Sequence, residues 1–233
     1  MSTFFAAARA LDSPEITAYN VAMKLLSPKF SVPPVPCGEL PGADPEERIE
    51  RIHFTKLSLL SENLKKREFS ECIFSSCDLS GAALDGCDFS DCVFERCNLS
   101  GASFTKSSFR RVRFSECKGV GADFSESVLR DFFAEKSAFS YSNFNAVRAN
   151  ALFWDECDLS NADIALCALK NAQVRKCSFI RANFFNTPLK GLDLKDSDLS
   201  GAGFSASLTE LKGAKINLLQ AAAILRSLGI DAQ

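Results

Sequence analysis

One histidine, ten cysteines and recurrent serines and aspartates are the side chains of this chain that could do chemistry. A histidine beside a serine or carboxylate is acid–base machinery, and clustered cysteines hold metals or pair as disulfides. His53 stands alone, however, and serine and aspartate recur so regularly that one of them near His53 carries no catalytic signal. Neither a Gly-x-x-x-x-Gly-Lys-Ser/Thr phosphate loop nor a dinucleotide fingerprint occurs. Nine of the cysteines (72, 77, 87, 92, 97, 117, 157, 167 and 177) have numbers ending in 2 or 7, and no Cys-x-x-Cys pair has a second pair at zinc spacing. Such spacing marks a repeat, so they read as small buried thiols. The chemistry points away from an enzyme, with no catalytic residue, cofactor, metal or small-molecule substrate expected.

The element that positions these residues repeats every five. From Phe54 to Phe204, 28 of the 31 residues whose numbers end in 4 or 9 are Phe, Leu, Ile, Val or Trp, so one large side chain points inward in each repeat. Two residues earlier, 24 of 31 positions carry Ala, Cys, Ser, Thr or Val, so large and small alternate inward. The other three positions are rich in Asp, Asn, Ser, Lys, Arg, Glu and Gly, as outward faces and turns require. A period of five matches neither a helix nor a simple strand, but a chain that turns a corner in each repeat.

Cys77-Asp78-Leu79-Ser80-Gly81, Ala82-Ala83-Leu84-Asp85-Gly86, Cys157-Asp158-Leu159-Ser160-Asn161 and Ala182-Asn183-Phe184-Phe185-Asn186 are similar to the Ala-(Asp/Asn)-Leu-x-x signature of the pentapeptide-repeat family. The resemblance implies an all-β fold, a right-handed quadrilateral β-helix in which four repeats make one coil. Thirty-one repeats then give nearly eight coils, a rod roughly 37 Å long at about 4.8 Å per coil. Cys72 and Cys92, or Cys157 and Cys177, would stack one coil apart with side chains parallel rather than converging, the wrong geometry for a disulfide. Three regions follow: residues 1–50, a helical and Pro-rich extension; 51–208, the solenoid; and 209–233, a C-terminal helix.

Departures from the beat carry what else the sequence says. Gly119, Ala134 and Ala149 stand where bulk is expected, and Phe132 and Val147 precede the two alanines, so a repacked middle core is expected rather than a bulge exposing Phe133 and Phe153. Ile52, Leu57, Glu62 and Arg67 break the small beat, and Glu62 and Arg67 resist burial, so the first coil reads as an open, capped end. Ser13-Pro14-Glu15 predicts a helix to about Leu26, and Asp44-Pro45-Glu46-Glu47 a second. Between them Pro33, Pro34, Pro36 and Pro41 predict an extended tether. The extension reads as a helical cap or, alternatively, as a docking arm anchored by Phe4, Phe5, Tyr19 and Leu25.

At the other end, Asn217 predicts a helix N-cap and Gly229 its stop, with Leu218, Ala221, Ala222, Leu225 and Leu228 in one apolar stripe. Leu211-x-Gly213-x-x-Ile216-x-x-x-Gln220-Ala221, followed by Leu228-Gly229-Ile230, resembles the ending of the Qnr-type quinolone-resistance branch. That resemblance implies a homodimer joined end to end through the stripe. It also implies binding to DNA gyrase or topoisomerase IV, with the rod standing in for duplex DNA and modulating the enzyme or protecting it from a drug or toxin.

Charge departs from that branch. From residue 51 to 207 there are 20 Lys plus Arg and 20 Asp plus Glu, so the rod is neutral overall. One face gathers Arg110, Arg111, Arg130, Arg148, Lys170 and Lys190 against Asp131, and an opposing face is mildly acidic, with Asp85, Asp123, Glu126 and Asp163. The alternative is a dimeric interaction scaffold whose partner is unrelated to topoisomerase. Direct nucleic-acid binding is not expected. The chain has neither a long apolar run nor a secretory leader, so no membrane contact and a cytoplasmic location are expected.

Overall fold

The structure, a computed structural model, describes residues 26–40, 48–227 and 229–230. The helices expected from Ser13 and from Asp44, and Pro41 of the tether, lie outside the described residues.

Each repeat makes one side of a square because its last residue turns the chain through the left-handed region. Among the described residues twenty-five non-glycine residues have positive φ, and all but Leu208 have numbers ending in 1 or 6. Their identities follow from sterics. None is Val, Ile or Thr, because a branched Cβ collides with its own backbone at such φ.

All strands pair in parallel. β1 (Val35–Cys37) pairs with β3 (Ile52–Thr55), then β5 (Ile73–Ser75) and β7 (Val93–Glu95) follow along one side of the rod. On the adjoining side run β2 (Ile49–Glu50), β4 (Glu68–Ser70) and β6 (Asp88–Ser90). Both ladders meet on β8 (Ser108–Ser115), an eight-residue strand that spans the corner, as do β9 (Val128–Glu135), β10 (Arg148–Asp155) and β11 (Ala168–Arg175). The other two sides are bridged at single residues, Ser58 to Asp78 and Asn63 to Ala83 and onward, twenty apart until the last bridge, Asp193 to Lys215. Within the expected proline tether, β1 forms a rung that caps the first coil, with Pro36 tolerated on an edge strand.

The solenoid has about seven turns. That falls short of the nearly eight expected because the register slips at the end, where Leu189 N bonds Glu210 O and Asp193 bridges Lys215 instead of a residue twenty on. A 3₁₀ turn at Thr209–Leu211 and the helix α1 (Leu218–Ser227) finish the chain.

Phenylalanine columns fill the core. Phe54, Phe74, Phe94 and Phe114 stack with ring centroids 4.9, 4.6 and 4.6 Å apart. Coil spacing thus sets ring spacing, and each pair adds about 0.5–1.5 kcal/mol beyond its buried area. Where the column meets Ala134, Phe132 turns inward, fully buried and 5.3 Å from the Phe114 ring, as volume exchange requires. Gly119 is compensated differently, from the coil above. A Cβ there would sit 2.6 Å from the Phe139 ring, so that ring occupies the missing volume. Phe133 and Phe153 are buried, in keeping with repacking over an exposed bulge. Arg67 corrects the reading of the first coil: it is buried, whereas Glu62 is exposed.

Small inward residues do more than fit. Cys87 and Cys167 Sγ donate to the carbonyls of Leu64 and Phe144, each at 3.0 Å, and Ser107 and Ser127 Oγ reach those of Leu84 and Phe104, each at 2.8 Å. All four bonds span 23 residues, so a thiol or hydroxyl on the small beat joins consecutive coils.

Candidate functional site

His53 is buried on β3, with Nε2 2.9 Å from Ser75 Oγ on β5. Burial lowers its pKa, against an opposing pull from Glu95. Ser75 is buried as well, so the pair presents no nucleophile to a substrate. The ten cysteines are free thiols, and burial pushes Cys87 and Cys167 up to about 11, far from a reactive thiolate. Among the described residues no three His, Cys, Asp or Glu side chains come together to hold a metal.

The basic stripe is partly assembled. Arg110 lies in register with Arg130 one coil on, then Asn150 and Lys170, and all three basic side chains are exposed. Lys190 is exposed one coil further along the sequence, and Arg148 stands two residues before Asn150 on the same strand. Arg111 is removed from the set: its Nε donates to Asp91 Oδ1 at 2.6 Å, and its NH2 reaches the other oxygen. Asp131, the one acid expected there, accepts the Leu26 N–H at 3.0 Å.

The acidic set occupies a neighbouring side and not an opposing one. Repeats centred on Phe124 and Phe109 or Leu129 are consecutive along the coil, so those sides meet at the corner of Lys106 and Glu126, which pair at 3.7 Å. Its carboxylates are engaged locally. Asp123 Oδ1 accepts the Ser125 N–H at 2.8 Å, while Asp163 Oδ1 accepts the Ala165 N–H at 3.2 Å and Asn183 Nδ2 at 2.9 Å. Asp85 accepts Ser103 Oγ and pairs with Lys65 at 2.9 Å; burial raises its pKa, but those two partners outweigh it and hold it low. Asp78, Asp158 and Asp198 likewise cap the N–H two residues on, the side-chain turn that Asp and Asn favour. The recurrence of Asp and Asn before the large residue is therefore structural first.

α1 begins with a reciprocal cap, in which Asn217 Oδ1 accepts the Gln220 N–H at 2.9 Å and Gln220 Oε1 accepts the Asn217 N–H at 2.8 Å. It ends at Gly229, in positive φ, where Ile230 N bonds Leu225 O. Gln220 is what the sequence reading missed. Buried, it donates through Nε2 to Leu194 O at 2.8 Å and Ser197 O at 2.6 Å, closing the last coil, and Ile224 packs one helical turn on. Of the expected stripe, Ala221, Ala222 and Leu225 are half-buried, the side chain of Leu228 lies outside the described residues, and Leu218 is 89 % exposed beside Leu219 at 83 %.

Beside β11 lies a cleft of about 500 Å³ lined by Phe153, Gln173, Arg175, Asp193, Lys195 and Lys215, a charge-mixed surface without a nucleophile–base pair. Among the described residues no helix is long and apolar enough to cross a membrane.

A family model described as a pentapeptide repeat region matches residues 67–138, and one described as pentapeptide repeats (8 copies) matches residues 157–202. No curated protein matches. Similar solved structures include trypsin-treated QnrB1, a plasmid-mediated fluoroquinolone resistance protein, at 21% identity over 80% of this chain and 90% of that one, with a TM-score of 0.41. Another is HetL, a pentapeptide repeat protein involved in heterocyst differentiation regulation from the cyanobacterium Nostoc, at 20% identity over 72% of this chain and 88% of that one, with a TM-score of 0.43. The repeat that sets the square coil and the two family matches, which together span just over half the sequence, agree that this chain belongs to the pentapeptide-repeat family.

Proposed function

We propose that this protein is a non-catalytic interaction scaffold, a homodimer joined end to end through α1, whose solenoid sides contact a protein partner. The observation that carries the reading is the pair Leu218 and Leu219, at 89 % and 83 % exposed, on a helix whose inner residues Gln220 and Ile224 already seal the rod. A second copy of the same end buries them by a two-fold contact. Leu218→Glu is the direct test, because it leaves the seal intact: light scattering should show the dimer mass fall to that of one chain, and an unchanged mass would remove α1 from the interface.

For the partner, the basic ladder is the better-formed surface. Arg110 directly opposite Arg130 is a like-charge pair that weakens the sheet by itself. An acidic protein surface laid along Arg110, Arg130, Lys170 and Lys190, with Arg148 at its edge, relieves that repulsion.

A second reading is binding to DNA gyrase or topoisomerase IV as a duplex mimic. It is favoured by Asp123 and Asp163, in register two coils apart through Asn143, with Asp85 and Glu126 on the same side. A supercoiling assay with purified gyrase, with and without a quinolone, separates the readings; no inhibition and no rescue at micromolar protein would defeat the second.

A further inference from the structure

One coil boundary of the rod is left open. Elsewhere the backbone ties each coil to the next: Lys136 N donates to Asp155 O at 2.8 Å and Glu156 N to Arg175 O at 2.9 Å, while Val93 N reaches Cys72 O at 2.9 Å and Arg113 N reaches Cys92 O at 3.0 Å. The same bonds one coil above β11 would join Lys176 N to Lys195 O and Asp193 N to Ala172 O, and neither is made. Among the described residues no backbone hydrogen bond joins residues 168–176 to residues 188–195, and β11 pairs with β10 alone. Side chains hold the two ends of the gap, where Cys167 N donates to Thr187 Oγ1 at 2.9 Å and Cys177 N to Ser197 Oγ at 3.1 Å. Pro188 starts the opening. Arg148 N donates to Ser127 O at 3.0 Å and Ala168 N to Val147 O at 2.9 Å, but the next residue in this series is the proline, which has no N–H to offer Cys167 O.

The cleft of about 500 Å³ beside β11 occupies this opening, with Gln173 and Arg175 on one bank and Asp193 and Lys195 on the other. Ala172 and Val174, which point inward, are only half-buried there, whereas Leu152 and Trp154 one coil below and Leu192 and Leu194 one coil above are buried. The groups left over are those of one absent rung. Where a residue bridges two coils, as Asp158 does to Ala138, its N–H donates to Ser137 O at 3.0 Å and its C=O accepts from Phe139 N at 2.7 Å. A residue set likewise against Gln173 would donate to Ala172 O and accept from Val174 N. On the upper bank Leu194 N bonds Lys215 O and Lys215 N bonds Leu192 O, each at 2.8 Å, so alternation turns the N–H and C=O of Asp193 down into the cleft. They meet the carbonyl before and the N–H after the same inserted residue. Three inserted residues thus complete four hydrogen bonds.

We propose that this cleft takes a short extended segment of a partner protein, which adds a strand to the open edge of β11 and carries alternate apolar residues followed by an acidic one. In such strand addition the main-chain bonds supply affinity and the alternate side chains selectivity. On either side of the bridging residue the inserted side chains point inward, between Ala172 and Leu192 and between Val174 and Leu194, so both are apolar. The residue after them points outward between Arg175 and Lys195. Those two cations are held at the cleft by Asp155, which accepts Arg175 Nε at 2.5 Å, and by Asp193, 3.3 Å from Lys195 Nζ, and Lys215 lines the same cleft. A carboxylate between them relieves like charges, and an ammonium there adds another. The order is therefore apolar, polar, apolar, acidic. Strand addition here needs neither the contact through α1 nor the basic ladder on the adjoining side.

Titration of the full chain with the capped tetrapeptide acetyl-Val-Thr-Val-Glu-amide tests this, read by the fluorescence of Trp154, the single tryptophan, which lies in register with Val174. A saturable change with a dissociation constant below about 1 mM is expected. Methylating the threonine nitrogen removes the proton meant for Ala172 O, and replacing Glu by Lys reverses the charge set between Arg175 and Lys195. Each should weaken binding at least about tenfold. Val174→Pro removes a backbone N–H that has no partner among the described residues, and should do the same. If that variant does not fold, the methylated peptide carries the test alone. Arg110→Glu with Arg130→Glu should leave the titration unchanged. No saturable change up to about 5 mM peptide would overturn the proposal, as would equal binding of the methylated or the lysine peptide. A titration lost in the Arg110→Glu, Arg130→Glu variant would move the peptide to the basic ladder and refute the cleft.

Discussion

Exchanging the side chains at 132 and 134 tests the packing rule most sharply, because the structure assigns each single change a separate penalty that the double change relieves. Phe132 is fully buried, with its ring 5.9 Å from that of Phe109, 5.3 Å from Phe114 and 6.5 Å from Phe124. Phe132→Ala empties that space and should cost about 3–5 kcal/mol. Ala134 lies in register between Phe114 below and Trp154 above and is fully buried, with Phe132 occupying the inward space two residues before it. Ala134→Phe alone should therefore cost about 1–3 kcal/mol by overpacking. Together the changes restore the regular beat, and a ring at 134 can stack on Phe114 as Phe94 does at 4.6 Å. The double variant should lie within about 1.5 kcal/mol of the parent, since volume is conserved. The coupling between the sites should thus exceed about 2 kcal/mol, far outside the ~0.5 kcal/mol scatter of independent sites. Urea unfolding followed by the fluorescence of the single tryptophan, with the slope checked for two-state behaviour, measures it. Penalties that simply add would refute the claim that large and small inward positions share one volume.

Ser127, fully buried and bonded to Phe104 O, should cost about 1–3 kcal/mol as Ser127→Ala and less as Ser127→Cys, measured by the same unfolding curve. Leu166 occupies a corner at φ 59° and is exposed, so Leu166→Val should destabilise by about 1–2 kcal/mol and Leu166→Gly should not, an ordering that melting temperatures read directly. Because burial lowers the folded-state pKa of His53, the unfolded chain binds more protons below about pH 6.5, and that share of stability, complete above this pH, is lost as pH falls. A melting temperature that falls between pH 7 and pH 5 by as much in His53→Gln as in the parent would remove His53 as the source. Asp78, held low by the Ser80 hydroxyl and N–H, adds a further loss that sets in as pH falls through the ordinary carboxylate value and is complete only below its lowered one, which acid titration of Asp78→Asn would show as a shallower fall.

The regular part of this fold was legible because one side chain per repeat must enter a core only one coil wide, and a fixed period is the direct trace of that constraint. The side-chain exchange at Phe132 and Ala134 was legible for the same reason, both being inward positions of one coil. Gly119 was not, since its volume is filled by Phe139, twenty residues away, and no local pattern reports a ring leaning down from the next turn. The small beat was read as packing alone; its hydrogen bonds across 23 residues become visible only once the coils are stacked. Charges were the least legible. A list of exposed ionic residues cannot separate Arg110, which is exposed on its ladder, from Arg111, whose guanidinium turns across the corner to Asp91. Nor can it separate a surface carboxylate from Asp123, whose oxygen is occupied by the N–H two residues on. At the C-terminus the apolar stripe was visible, but the polar seal made by Gln220 was hidden behind it, because a glutamine on a helix looks like a solvated residue until the carbonyls of the last coil are placed beneath it.

End-to-end pairing is the central claim, and small-angle X-ray scattering of the unmodified protein tests it most directly. One rod of about seven turns is roughly 34 Å long at about 4.8 Å per coil. End-to-end pairing should give an elongated particle of twice the 25.4 kDa chain mass, with a maximum dimension of about 70 Å or more at micromolar concentration. A particle of single-chain mass and single-rod length at that concentration would contradict it.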